Sequence, residues 1–217
     1  MKHERKRGTL SRDAILTAAE TILDDEGLLA LSMRRVGEAL AVEAMSLYNH
    51  VPNKAALLDG VYERIVSRIE PAPKTRTWMD HARHQGRAFR VALAAHPNAI
   101  PLLASRPATT PDALLRLEGN LAVLRKHGLE PLQALSVVQT VLAFVVGHAL
   151  WSLAPRTSDE LGTPRYESLD PRTFPNVRAV ASVLESYDPE AEFETGLDAL
   201  VDGLARVYGP TADKRRK

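Results

Sequence analysis

A protein made wholly of α-helices is predicted, a short N-terminal group of helices followed by a larger helical domain. Three observations predict it. Apolar residues recur at helical spacing in almost every patterned segment, and no segment sustains a two-residue alternation. Capping residues stand where those patterns begin, and Gly or Pro stands where several of them end. The Pro-rich stretch "EPAPKTRT" at 70–77 interrupts the series and places a junction near it. A chain of 217 residues is long for one compact unit and short for two ordinary ones, in keeping with a small module joined to a larger one.

Each element has its own justification. Ser11 caps a first helix, Asp13 sits in its first turn, Ile15, Ala18, Ala19, Ile22 and Leu23 form its inner face, and Gly27 stops it. Ser32 caps a short second helix with Val36 and Leu40 one turn apart on its inner face. A short turn beginning at Val42 leads to a third helix over 44–50, with Leu47 and Val51 inward. Pro52 bars its continuation, and Asn53 caps a fourth helix whose inner stripe is Leu57, Leu58, Val61, Ile65 and Ile69. Beyond the junction, helical patterns cover about 78–95, 111–127, 131–153, 174–186 and 190–208, and the polar stretch 154–172 is expected to be a mobile loop. The expected division is a basic arm over 1–10, a small helical head over 11–70, a larger helical domain over 71–210 and a basic tail over 211–217.

Composition narrows the function classes. Hydrophobic residues make up 45% and charged residues 25%, which excludes disorder as a whole-chain state. There is no Cys, so disulfides, thiolate zinc sites and cysteine nucleophiles are ruled out, and a reducing compartment is consistent. "MKHERKRGTL" is basic with no apolar stretch after it, so neither a secretory signal nor a location outside the cytoplasm is expected. The net charge of +1 says little, but its distribution says more: residues 1–12 carry Lys2, Arg5, Lys6, Arg7 and Arg12 against Glu4. That arm either is a solvated tail or enters a DNA minor groove.

The segment 132–153 has no charged residue and is long enough to cross a bilayer. Gln133, Ser136, Gln139, Thr140, His148 and Ser152 would be costly there, so no membrane partner is expected. Two seams run along it, one through Leu135, Val138, Leu142, Val145 and Ala149, the other through Val137, Val141, Phe144, His148 and Trp151. A further seam joins Phe193, Leu197, Leu200, Leu204 and Val207. Helices about 131–153 and 190–208, paired with their copies, would make the four-helix interface of a homodimer; otherwise both are core helices of a monomer.

The helix over 32–40, a short turn and the helix over 44–50 have the dimensions of a helix-turn-helix, in which the second helix lies in a DNA major groove. With Val36, Leu40, Val42, Leu47 and Val51 inward, the outward face is Ala44, Met45, Ser46, Tyr48, Asn49 and His50. Small and apolar groups there can approach base edges and thymine methyls, while Tyr and His can hydrogen-bond phosphates. Lys54 falls at a helix N-terminus, where backbone N–H groups already favour an anion. The implied partner is a double-stranded DNA operator.

The residues "LSMRRVGEALAVEAMSLYNHVPNKAALLDGVYERIV" resemble the DNA-binding domain of the TetR family of transcriptional repressors, whose recognition helix ends in a Leu-Tyr-x-His-like run followed by Asn-Lys-x-x-Leu. "LLRLEGNLAVLRKHGLEPLQALSVVQTVLAFVVGHAL" is similar to the regulatory domain of the tetracycline repressor branch, and the likeness extends over about 10–208. The resemblance implies a three-helix helix-turn-helix head, a helical ligand-binding and dimerisation domain, and a homodimer that holds a palindromic operator until a small organic effector releases it. It implies base contact by Arg34, and phosphate and adjacent-base contact by Ser46, Tyr48, His50 and Lys54. Ala44 replaces a base-reading amide and Met45 a proline that meets a thymine methyl, so a different operator sequence is expected, since Ala cannot make a bidentate contact to adenine. Ala41 stands where Gly is usual, which hints at a slightly different turn.

In the larger domain, Gln85, Phe89 and Asn120 match drug-contacting positions of the tetracycline repressor. Leu102 and Trp151 stand where that repressor has a histidine and a carboxylate for magnesium. Neither can hold a hard cation, so no metal site is expected and magnesium-tetracycline is not expected to be the effector. Trp151 and His148 point either to a more apolar pocket suited to a flat organic molecule or to core packing beside the dimer seam. No cofactor motif occurs. Against an enzyme, His81 and His84 at i, i+3 could pair on a metal, but a solvated histidine face is the simpler reading, and no Glu-x-x-His or strand-turn-helix motif accompanies them. A dimeric interaction module is the remaining alternative, and it leaves the polar helix over 44–50 without a task.

Overall fold

The structure is a computed structural model and describes residues 10–106, 109–153 and 166–209. The basic arm with Lys2, Arg5, Lys6 and Arg7, the 154–165 part of the expected loop and the basic tail lie outside the described residues. Among the described residues there are ten α-helices and no strand: α1 Arg12–Glu26, α2 Met33–Leu40, α3 Ala44–Leu47, α4 Lys54–Ser67, α5 Trp78–Ala95, α6 Ile100–Ser105, α7 Pro111–Lys126, α8 Pro131–Ser152, α9 Pro175–Ala181 and α10 Pro189–Tyr208.

The predicted caps do their chemistry. Ser11 Oγ accepts from the Ala14 N–H at 3.2 Å, Ser32 Oγ from Arg35 at 3.1 Å, and Asn53 Oδ1 from Ala56 at 2.8 Å. Each satisfies an amide that the helix cannot. Ile15, Leu23, Val36, Leu47, Val51, Leu57 and Val61 bury together as the core of the N-terminal head. The third helix is shorter than expected: α-geometry ends at Leu47, and turns from His50 and Val51 N–H to Leu47 O carry the chain to Pro52.

Two residues shape the bend between α2 and α3. A Cβ on Gly37 would stand 2.9 Å from Val42 O and 3.2 Å from Ala44 N, so the bare backbone is what lets α2 pack this tightly on the turn. Ala41 takes φ 54°, ψ 41°, the left-handed conformation that glycine favours. For an L-residue that conformation costs roughly 1–2 kcal/mol, and glycine gives back about 0.5–1 kcal/mol through its freer unfolded chain. Ala41→Gly is therefore expected to stabilise the head by about 0.5–1 kcal/mol, read as a higher urea midpoint at unchanged slope; a lower midpoint would contradict it.

α1 is tied to α4 within the head, and at Asp24 to the larger domain. Glu20, buried, accepts from Arg64 Nε at 3.0 Å and is bound by Arg68, while Arg64 also reaches Asp13. Burial alone would raise the Glu20 carboxyl's pKa, but hydrogen bonds from Arg68 and Arg64 and their charges outweigh it, and the pKa ends below the usual carboxylate value. Asp24 takes His96 Nδ1 at 3.0 Å, and its backbone carbonyl accepts from Asn98 Nδ2 at 2.6 Å. Ligand atoms of Glu20, Asp24 and His96 lie within 4.8 Å of one another, but two guanidiniums already take up the Glu20 charge. The cluster reads as a docking clamp.

In the larger domain α5, α8 and α10 pack side by side around Phe193, which stacks on Phe144 at 5.6 Å and lies under the guanidinium of buried Arg90 at 4.9 Å. Two seam expectations need correction. The buried line on α8 is Ala134, Val137, Val141, Val145 and Ala149, which crosses from one predicted seam to the other. A straight helix of 3.6 residues per turn drifts off a strict three-four repeat, so neither seam stays on one side. On α10, Phe193, Leu197 and Val201 are buried, whereas Val207 is exposed. The pattern expected over 174–186 splits into α9 and a 3₁₀ turn at Leu184–Ser186, and α6 is too short to show a period. Of the expected loop, Tyr166–Ser168 forms a 3₁₀ turn, and Arg178 donates to the Leu169 carbonyl at 3.0 Å.

Candidate nucleic-acid interface and ligand cavity

The outward face of the head gathers the residues singled out for DNA. Met45, Tyr48, Asn49, His50 and Lys54 are exposed, and Ala44 and Ser46 are partly so. Met45 is 72% and Tyr48 43% exposed, large apolar surfaces that no core contact explains. Among the described residues no side-chain hydrogen bond or ion pair engages Tyr48, Asn49, His50 or Lys54. Their donors are free for an outside partner. Lys54 is the first residue of α4, beside N–H groups that the Asn53 cap leaves open. Arg34 on α2 is exposed and held at 2.8 Å from Glu38, one turn on, an ion pair weak enough in water to be exchanged for another acceptor.

Behind the head, a cavity of about 680 Å³ opens between α4, α5, α6, α7 and α8. Gln85, Phe89 and Asn120 lie on its wall, together with Tyr62 and Val66 of α4. His81 is also on the wall, which corrects the expectation of a solvated histidine face. It is buried, and its Nε2 pairs with Asn120 Oδ1 at 3.0 Å. Burial lowers the His81 pKa, and the Asn120 hydrogen bond offsets only part of that shift. The neutral ring is therefore favoured, with Nε2–H donating to the amide oxygen. Leu102 is buried.

His148 and Trp151 lie off that wall. Trp151 is 72% exposed on α8, and the His148 ring packs against Phe193 at 5.3 Å, with Ser152 Oγ at 3.2 Å from its Nδ1. Both stand beyond Gly147, the last α8 residue on the cavity wall, and His148 packs toward α10, where its Nε2 lies 3.3 Å from Glu192. Sequence reading missed Arg106 and Arg116, both on the cavity wall. Arg106 pairs with Asp59 of α4, and Arg116 donates to the Ile69 carbonyl just past the end of that helix. Nothing in a lone Arg after an apolar run marks it as facing inward.

A helix-turn-helix head with an unpartnered recognition face, joined by one helix to a helical domain with a mostly apolar cavity, defines a ligand-sensing DNA-binding regulator. Residues 15–61 match the family model for bacterial regulatory proteins of the tetR family, and 70–208 match that for the tetracyclin repressor-like C-terminal domain. The chain belongs to the TetR family. It is 31% identical over 213 residues to an HTH-type transcriptional regulator of Saccharopolyspora erythraea, covering 96% of this chain and 90% of that protein. It is 30% identical over 207 residues to the class A tetracycline repressor from transposon 1721 of Escherichia coli, covering 91% of each. Among solved structures it is similar to ActR of Streptomyces coelicolor in complex with actinorhodin, with TM-score 0.78 and 30% identity over 94% of this chain and 99% of that one. Proteins of this family are soluble transcriptional regulators that bind operator DNA as homodimers, so the enzyme and interaction-module readings fall away. The long apolar helix α8 is a bundle helix, with α5, α7 and α10 packed on it.

Proposed function

We propose that two copies of this chain, paired through α8 and α10, repress transcription in the cytoplasm by holding a palindromic operator until a small organic molecule enters the cavity behind α4. The head over 11–70 reads DNA through Arg34, Ala44, Met45, Ser46, Tyr48, Asn49, His50 and Lys54. The domain over 71–210 binds the effector through Gln85, Phe89 and Asn120 and carries the dimer contact. Leu150 and Trp151, adjacent on α8, and Val207 on α10 are exposed, and this apolar surface supports that pairing because packing against a second copy would cover it. His148 and Trp151 therefore belong to the seam region rather than to the effector.

One observation carries the reading: α4 bears Lys54 at the DNA-facing end and places Tyr62 and Val66 on the cavity wall. A ligand that displaces either side chain tilts the helix and changes the separation of the two heads, which must sit about 34–36 Å apart to engage both half-sites. The test is selection of duplexes from a random pool by the intact protein. Enrichment of a palindrome with half-sites about one helical turn apart is expected; enrichment of no palindrome would overturn the operator reading.

A further inference from the structure

The charged groups of the cavity wall are all of one sign. Two arginines line it and no Asp or Glu does, among the described residues; Glu63 and Asp112 line the adjoining cavity, which shares Arg116, but neither forms an ion pair with it. Arg106 is neutralised by Asp59 of α4. No carboxylate is within ion-pairing reach of Arg116 among the described residues, and the hydrogen bond it makes there uses one of five guanidinium donors, on the Ile69 carbonyl. The wall around it is mostly aliphatic and aromatic, with Phe89 and Tyr62 as flat surfaces.

We infer that the effector is a flat aromatic acid whose carboxylate is held by the Arg116 guanidinium. A planar fork matches a carboxylate in a bidentate fashion, and the mostly apolar wall around it strengthens the pairing. Burial lowers the Arg116 pKa, the mark of a cation short of solvation. A cavity of about 680 Å³ accommodates a molecule of a few fused rings. Seating a carboxylate there also exchanges the Arg116 bond to Ile69 for a stronger one, loosening the C-terminal end of α4.

This assignment rests on the reading of the cavity as the effector site. The test is calorimetric titration of the intact protein with naphthalene-2-carboxylate, anthracene-2-carboxylate, anthraquinone-2-carboxylate and pyrene-1-carboxylate, each beside its primary carboxamide. At least one acid is expected to bind about tenfold or more tightly than its amide, the scale of one charge-assisted pair. The preference should collapse in Arg116→Gln and survive in part in Arg116→Lys, with folding of each variant checked by its thermal transition. Equal binding of acid and amide throughout, no binding by any acid, or an undiminished preference in Arg116→Gln overturns the assignment. The two readings fail separately. An acid that binds in this way without releasing operator DNA supports the Arg116 subsite and refutes the effector reading, and amides that bind better than the acids and release DNA do the reverse.

Discussion

Replacing Tyr48 and Lys54 together by alanine is expected to weaken operator binding by on the order of 100- to 1,000-fold while leaving the fold intact. Both side chains are exposed and without an internal partner among the described residues, so their removal takes nothing from the core. Each is expected to supply a hydrogen bond to a phosphate, the Lys54 bond being charge-assisted, and a two-fold dimer makes every loss twice. Lys54 adds a salt signature: removing one phosphate-contacting cation should flatten the slope of log affinity against log salt by about one unit per head. Gel shift or fluorescence anisotropy at several salt concentrations reads both quantities. Unchanged affinity would mean that α3 does not face the DNA.

Glu20→Ala is expected to cost about 2–4 kcal/mol of stability at neutral pH. The loss leaves Arg64 and Arg68 without their shared carboxylate between α1 and α4, and the half exposure of Arg68 keeps the figure below that of a fully buried triad. The same carboxylate sets a pH dependence. Its folded pKa lies below the ordinary value of 4.5, so the stabilisation is complete above about pH 4.5 and is lost as pH falls through the folded pKa. Urea unfolding at pH 7 and pH 3.5 should show the variant and the parent converging at the lower pH. A constant difference would mean that Glu20 acts through packing alone.

The head was largely legible in the sequence, because Ser11, Ser32 and Asn53 are local signals whose amide partners lie three residues on. The outward face followed by subtraction once Leu47 and Val51 were placed inside. Legibility failed where the outcome depends on which of several neighbours covers a side chain. His81 and Arg116 are polar residues on amphipathic helices, and their inward direction comes from how α5 and α7 meet α8 and α4, a tertiary fact with no local mark. The seams of α8 failed for the opposite reason: in a helix apolar on all sides, every alternation of three and four looks equally good, so the pattern cannot choose one. Asp24 and His96 lie 72 residues apart and meet only in the fold.

That last contact sets the terms on which this head could be transplanted. By sequence alone the link at 70–77 is a free splice point, and a graft there needs nothing else. Yet the head is also latched on its far side, where Asp24 grips His96 and Asn98. A foreign head would arrive without its half of the latch and would hang from α4 alone. Interchangeable parts in this architecture are therefore not head and body but head plus a matched socket, and a hybrid regulator would have to inherit Asp24, His96 and Asn98, with the Asp59–Arg106 pair, as one set.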